Sequence, residues 1–314
     1  VVRIVPEGQV AFGMQLPIQA QSHLFAESWE ASAGVNEMVD VARISEHAGF
    51  CYLAVCDHAA IPKDTAGAMS TTWWDCMTTL SYLAAVTSRI RLLSHVYVLP
   101  LTHPLRAAKQ WTTLDALSGG RAILGVGSGH VEGEFAALGV DHARRGELLD
   151  EALDAVEAAF ADEYSSHDGP AWSYREMGVA PRPVQSRIPI WVGGSSRAAI
   201  ARSAERGDGW LPEGAPEGGM SAAVALIREL RERAGRTDPF TIGGLSGPLY
   251  VGEPTWDIGR AVTGSPEQVA GFLRVLAGLG VNQIQVAFRS RDVHELYDQI
   301  RVFGAEVAPL VHGA

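Results

Sequence analysis

The feature that most constrains this chain is an alternation of short apolar runs with segments of helical spacing, repeated eight times. Val10–Pro17, Cys51–Cys56, Arg89–Leu99, Ala122–Leu124, Pro189–Val192, Asp208–Leu211, Phe240–Val251 and Gln283–Phe288 read as strands. The first intervening helix is predicted over Val35–His47, with Val35, Met38, Val39 and Ala42 as its stripe and Gly49 as its stop. Others are expected near Trp74–Val86, from Pro104 to Leu117, over Arg144–Phe160, before Gly207, and over Gly219–Ala234. Ser265-Pro-Glu-Gln268 carries an N-cap, a proline at the first helical position and a capping box for the next. Asp292–Val311 supplies the last.

Near-continuous apolar strands belong to sheets covered on both faces. Eight strand–helix pairs in 314 residues fit an α/β fold of the (β/α)8 TIM-barrel type. The insertions are expected after strand 4 (131–143) and in an irregular loop before strand 5, Ala161–Val184. A doubly wound dinucleotide fold would place its glycine fingerprint after strand 1. Here that strand ends in Gln15-Leu-Pro17, so this alternative is rejected. No linker or repeat divides the chain, and a single domain over 1–314 is expected.

Charge and composition narrow the function classes. Asp and Glu total 36 against 25 Lys and Arg, a formal charge of −11, which argues against a nucleic-acid surface. An anionic ligand must then be held locally, by backbone N–H groups or a few arginines. No apolar run reaches the length of a membrane span, and the apolar start Val1–Pro6 is too short for a signal h-region. A cytoplasmic protein acting on a small molecule is the expectation. Cys51, Cys56 and Cys76 have no metal-ligand spacing and read as core thiols, and no metal site is expected.

A barrel carries its active site at the C-terminal ends of its strands. Polar and special residues collect there: Asp57-His58 after strand 2, Ser94-His95-Val96 in strand 3, Gly193-Gly-Ser-Ser196 after strand 5, and Glu213 after strand 6. Strand 4 runs into Gly125-Val-Gly-Ser-Gly129 and then His130. Gly127, Ser128 and Gly129 suggest a shelf without side chains, open to a flat ring, with His130 at its lip to move a proton. Gly193, Gly194, Ser195 and Ser196 precede a helix whose N-terminal N–H groups suit a phosphate; the alternative is that the serines only cap. Asp57-His58 is either an exposed pair closing a strand or a carboxylate that orients an imidazole.

Taken together, these motifs resemble the bacterial luciferase-like oxidoreductases, and within them the branch that uses the deazaflavin coenzyme F420. The resemblance rests on Asp57-His58, Thr102-His-Pro104, Leu114-Asp-Ala-Leu-Ser-Gly-Gly-Arg121, Gly125–Gly129 with Glu134-Phe135, Ile190-Trp-Val-Gly-Gly194, Gly207-Asp-Gly-Trp210 and Thr263-Gly-Ser-Pro-Glu267. It implies a ring lying across the barrel mouth, contacted by Asp57 and His58, with the phosphate at Gly193–Ser196. It also implies a non-prolyl cis peptide in strand 3, at Ser94–His95 or His95–Val96. Many relatives have Trp after the glycine run, and the sugar-phosphate branch has a proton-donating Glu; this chain has His130. No match to that branch's basic sugar-phosphate clamp is present. The expected activity is hydride transfer between coenzyme F420 and a small organic substrate, with His130 as proton donor or acceptor and His58 and Asp57 in support. The competing expectations are an FMN-dependent monooxygenase and a non-catalytic flavin-binding barrel. Members of the family often form dimers, so a homodimer is also an expectation.

Overall fold

The computed structural model describes residues 3–312; Val1, Val2, Gly313 and Ala314 lie outside the described residues. Eight strands form the barrel: β1 (Ala11–Gln15), β2 (Tyr52–Val55), β3 (Arg91–Ser94), β4 (Ala122–Gly127), β5 (Ile190–Gly193), β6 (Gly209–Leu211), β7 (Thr241–Val251) and β8 (Gln283–Phe288). They pair in chain order, β8 pairs with β1, and every barrel pairing is parallel. The sheet is therefore closed, and the TIM barrel expected from the alternation is the fold observed.

Eight helices follow the strands: α1 (Val35–His47), α2 (Cys76–Val86), α3 (Pro104–Ser118), α4 (Arg145–Ala161), α5 (Arg197–Arg206), α6 (Gly219–Arg233), α7 (Pro266–Gly278) and α8 (Val293–Val302). Their ends are set by the residues that flagged them. Ser265 Oγ accepts from Gln268 N and Gln268 Oε1 accepts from Ser265 N, which completes the capping box of α7. Gly119 ends α3 at φ +66°, a left-handed cap that favours glycine.

Two expectations of local structure are corrected, and one short strand is added. The Ala161–Val184 loop is not irregular throughout: Tyr164–Asp168 and Ser173–Gly178 pair as an antiparallel hairpin. Its residues are largely polar and exposed, so it lacks the apolar signal of a buried strand. Val262–Gly264 adds a short strand against β7. Strand 3 is not continuous over Arg89–Leu99. It stops at Ser94 and resumes at Tyr97–Val98, with a cis peptide at His95–Val96 between the two pieces. Both pieces pair with β4, Leu93 opposite Ile123 and Tyr97 opposite Val126, so strand 3 carries one extra residue in the break.

Alternation along the strands separates two apolar regions. Leu53, Val55, Leu92, Leu124 and Val192 face the helices, while Tyr52, Ala54, Leu93, Ile123, Trp191 and Leu211 fill the barrel interior. Tyr52 and Trp191 meet edge to face at 5.7 Å between centroids. Gly13 makes room for them, because a Cβ there would lie 2.1 Å from Tyr52 Cζ. The Gly-Gly-Arg121 turn beneath β4 has a packing role. The buried Arg121 guanidinium donates to the carbonyls of Ala84 and Ile90, both at 2.9 Å, and ties α2 and β3 to the start of β4.

Candidate active site at the barrel mouth

The same alternation predicts what lines the mouth. Continuing the inward positions to the strand ends gives Gln15 on β1, Cys56 past β2, Gly127 on β4, Gly193 on β5, Glu213 past β6 and Gln285 on β8. Several of these touch. Gln15 Nε2 donates to Cys56 Sγ at 2.7 Å, and Gln285 Oε1 is 3.0 Å from His95 Nδ1. Burial pushes the Cys56 thiol up to about 12, so it stays protonated and serves as packing.

The expected glycine shelf is not open. A Cβ on Gly125 would lie 1.9 Å from the Ser94 carbonyl oxygen, and one on Gly127 would lie 2.4 Å from Val96 Cγ2. A Cβ on Gly129 would meet Phe135 and Val98, both at 2.7 Å. The broken strand 3 occupies the space these glycines leave, and half-buried Val96 is the surface presented to the mouth in their place. Gly125 answers to the Ser94 backbone, and Gly127 and Gly129 to the side chains of Val96, Val98 and Phe135. Ser94 belongs to the same junction: its hydroxyl donates to Gly125 O at 2.7 Å and accepts from Gly125 N at 3.0 Å. That buried hydroxyl spends its one donor on this junction.

A similar correction applies at β5. Gly193 is buried in the strand, and a Cβ there would lie 2.3 Å from Val96 Cγ1, so its missing side chain also accommodates Val96. Ser195 Oγ donates to Gly214 O at 3.1 Å and accepts from Glu213 N at 3.0 Å, tying this turn to the loop after β6. Ser196 is the N-cap of α5, accepting from Ala199 N at 3.2 Å. The first N–H groups of α5 have no partners within the helix. Gly194 reaches this turn at φ +113°, and Arg197 at the first helical position is exposed.

The polar centre of the mouth is on the β2 and β4 side. His58 Nδ1 lies 3.0 Å from Glu134 Oε2, with the Glu134 side chain 2% exposed. Glu134 sits on the short helix Glu132–Ala137 and also accepts from Ala60 N at 3.1 Å and from Ala59 N. Burial pushes its carboxyl up, but the His58 and backbone donors outweigh that and leave it below the usual range. The His58 ring packs on Trp73 at 4.5 Å and on His130 at 5.6 Å between centroids. His130 itself is exposed at the rim; desolvation and neighbouring His58 lower its pKa, so it is neutral at neutral pH.

Asp57 does not orient His58 directly. Its Oδ2 accepts from Val98 N at 2.9 Å, pinning the resumed part of strand 3, and burial pushes its carboxyl up to about 6. Glu134, not Asp57, is the carboxylate partner of His58. His95 is the remaining polar group: Tyr52 Oη donates to the same Gln285 Oε1 at 3.4 Å, and His95 Nε2 is buried with no hydrogen-bond partner. With Gln285 Oε1 as acceptor, Nδ1 carries the proton and Nε2 presents a lone pair.

The sequence signals for the missed groups are now identifiable. Glu134 was visible only as part of a motif, since its partner is 76 residues away in sequence. Gln283 and Gln285 stand at alternate positions of an apolar strand, which marks an inward polar line. Among the described residues, no group of His, Cys, Asp and Glu is arranged to hold a metal ion, and no helix is long and apolar enough to cross a membrane.

This fold and mouth define an enzyme of the luciferase-like class. The sequence matches the luciferase-like monooxygenase family over residues 10–257, and the chain belongs to that family. An uncharacterised protein of Mycobacterium tuberculosis is 31% identical over 225 residues, covering 68% of this chain and 77% of the relative. An FMNH2-dependent dimethylsulfone monooxygenase of Pseudomonas putida is 25% identical over 324 residues, covering 86% of each chain. Among solved structures, the coenzyme F420-dependent tetrahydromethanopterin reductase of Methanopyrus kandleri superposes with a TM-score of 0.75 at 20% identity, covering 96% of this chain and 99% of the other. Members and neighbours of the family thus include enzymes of both coenzyme types.

Proposed function

We propose that the barrel mouth holds coenzyme F420 and that the chain transfers a hydride between it and a small organic substrate, with His130 moving the accompanying proton. The observation that carries this reading is the His130–His58–Glu134 arrangement, an exposed neutral imidazole packed on a second imidazole that a buried carboxylate holds in place. The residues present fit a flavin-type group. Val96 offers an apolar surface, the buried Nε2 of His95 lacks a donor, and the α5 N-terminus with Ser196 and Arg197 offers N–H groups and a cation to a phosphate. When bound, the deazaflavin supplies a ring carbon that gives or accepts a hydride.

The chain's own residues supply the rest. Neutral His130 accepts a proton from a substrate hydroxyl as it becomes a carbonyl, and returns it in the reverse direction. Glu134 fixes the His58 ring, and His58 fixes the position of His130. Asp57 keeps Val98, and with it the Val96 surface, in register. Ser196 and Arg197 at the α5 N-terminus carry the phosphate, while Gly127, Ser128 and Gly129 place His130 at the rim.

The second reading, an FMN-dependent monooxygenase, is favoured by the Pseudomonas putida relative, and the α5 N-terminus suits an FMN phosphate equally well. Anaerobic mixing with reduced F420 and a panel of ketones and enones tests the proposal by following reoxidation of the coenzyme. Reoxidation that depends on substrate and needs no oxygen is expected. Substrate conversion only with reduced FMN and oxygen would overturn it.

A further inference from the structure

Beside the mouth, between the ends of β1, β7 and β8 and the segment after β1, lies a pocket of about 370 Å³. None of His58, His130 and Glu134 lines it, so it is separate from the proton-handling cluster. Its walls are mainly apolar, with Phe25, Trp29, Leu245 and Val286 contributing. Two features relate it to the mouth. Gln285 lines the pocket and also holds His95 Nδ1 at 3.0 Å; Gln15 lines it and also donates to Cys56 Sγ. The pocket and the mouth therefore share these two amides as a common wall.

Arg289, the one cation lining the pocket among the described residues, already has a carboxylate partner, and the second carboxylate, Glu30, accepts from Ile18 N at 2.7 Å and Glu27 N at 2.8 Å. Arg289 Nε is 3.1 Å from Glu27 Oε1 at the end lined by Ser290, and Trp29 Nε1 donates to Ser290 Oγ at 3.0 Å. An anionic substrate would lie beside the Glu27 and Glu30 carboxylates, and a cationic one beside Arg289. Either brings like charges together against mainly apolar walls, which is unfavourable. A neutral molecule meets neither cost. Pockets of this size and lining commonly bury most of a small ligand, with a few polar groups setting its orientation.

We infer that this pocket takes the apolar body of a neutral substrate, an alkyl or alicyclic alcohol or ketone, whose oxygen-bearing end passes the Gln15 and Gln285 wall into the mouth, toward His130. Calling the molecule a substrate rests on the reading of the mouth given above; the pocket's preference for it does not. That preference follows from the lining charges and apolar walls, and it separates this chain from enzymes that clamp a phosphorylated sugar.

The test uses the full-length protein and straight-chain primary alcohols from butanol to decanol, titrated calorimetrically. Burial of successive methylenes should tighten binding about three- to fourfold per carbon until the pocket is filled. Ala287 lines the pocket from an exposed position on β8, so Ala287→Trp should fill it and weaken alcohol binding at least about tenfold. Leu24 also lines it and is 75% exposed, so Leu24→Asp should weaken binding without disturbing the fold. Both variants should keep F420 affinity within about threefold of the parent.

Binding that ignores chain length, or that neither variant changes, overturns the inference. So does joint loss of alcohol and F420 binding in folded Ala287→Trp, which would make the pocket part of the coenzyme site. A chain-length series sensitive to both variants, in a protein that does not bind F420, supports the pocket and removes the hydride-transfer reading. F420 binding with no alcohol binding does the reverse.

Discussion

The edge of the His130 imidazole meets the His58 ring at 5.6 Å between centroids, with the two planes 87° apart. The residues come from different strand ends, β4 and β2. Glu134, two positions into the short helix that follows His130, reaches back to hold His58. One connection thus supplies the exposed imidazole and the carboxylate that orients its neighbour.

Removing His130 should therefore affect turnover more than binding. We predict that His130→Ala lowers kcat at least about 100-fold while F420 affinity changes less than about threefold. Because His130 titrates below the usual histidine value, the pH profile in the alcohol-oxidising direction should rise through that lowered pKa and stay flat at neutral pH. His58→Ala should weaken coenzyme binding as well. An unchanged single-turnover rate in folded His130→Ala would remove it from the mechanism.

Glu134→Gln tests the support for His58. The carboxyl is held below its ordinary value in the fold, so its contribution to stability is present above the unfolded value near 4.3 and is lost as pH falls through the folded one. The variant should be less stable than the parent at pH 7, and the difference should shrink below about pH 4. Thermal midpoints measured from pH 3 to 7 check this; a gap that does not change with pH would deny the ionic role.

Asp57 has the opposite sign. Its carboxyl titrates near about 6 in the fold, mainly because it is buried, against roughly 3.9 unfolded. The folded state then binds more protons between those values, so this group destabilises progressively as pH rises through that window. Asp57→Asn keeps an oxygen for Val98 N–H and removes the charge. It should gain about 2 kcal/mol on the parent between pH 4 and pH 7. Denaturant unfolding at the two pH values measures this, and a constant difference would contradict it.

The glycines of β4 make a packing prediction. Gly127→Ala places a methyl group against Val96 and should cost about 1 to 3 kcal/mol, as overpacked sites do. Shortening the obstacle with Val96→Ala should recover at least about 1 kcal/mol of that loss in a double-mutant cycle. Additive losses would show that Gly127 answers to something other than Val96.

Much of the barrel was legible in the sequence because its signals are local. Val35–His47 and Gln283–Phe288 begin and end where their periodicity and flanking residues place them. The site was legible by position, since strand ends collect polar groups, but its contacts were not. Gly125, Gly127 and Gly193 look alike whether they admit a ring or a neighbouring strand, and only the path of Ser94–Val96 distinguishes the two. Asp57 and His58 are adjacent in sequence and invite pairing, yet their partners are Val98 and Glu134, 41 and 76 residues away. The Tyr164–Gly178 hairpin escaped notice because it buries little apolar surface.

The central claim is that this mouth is a deazaflavin site, and a paired titration tests it most directly. Purified protein stripped of small molecules is titrated with oxidised F420 and, separately, with FMN, following the fluorescence of each. The account predicts low-micromolar or tighter F420 binding, at least about tenfold tighter than FMN, that Arg197→Glu at the α5 N-terminus weakens in folded protein. Micromolar FMN binding with no measurable F420 binding would contradict it.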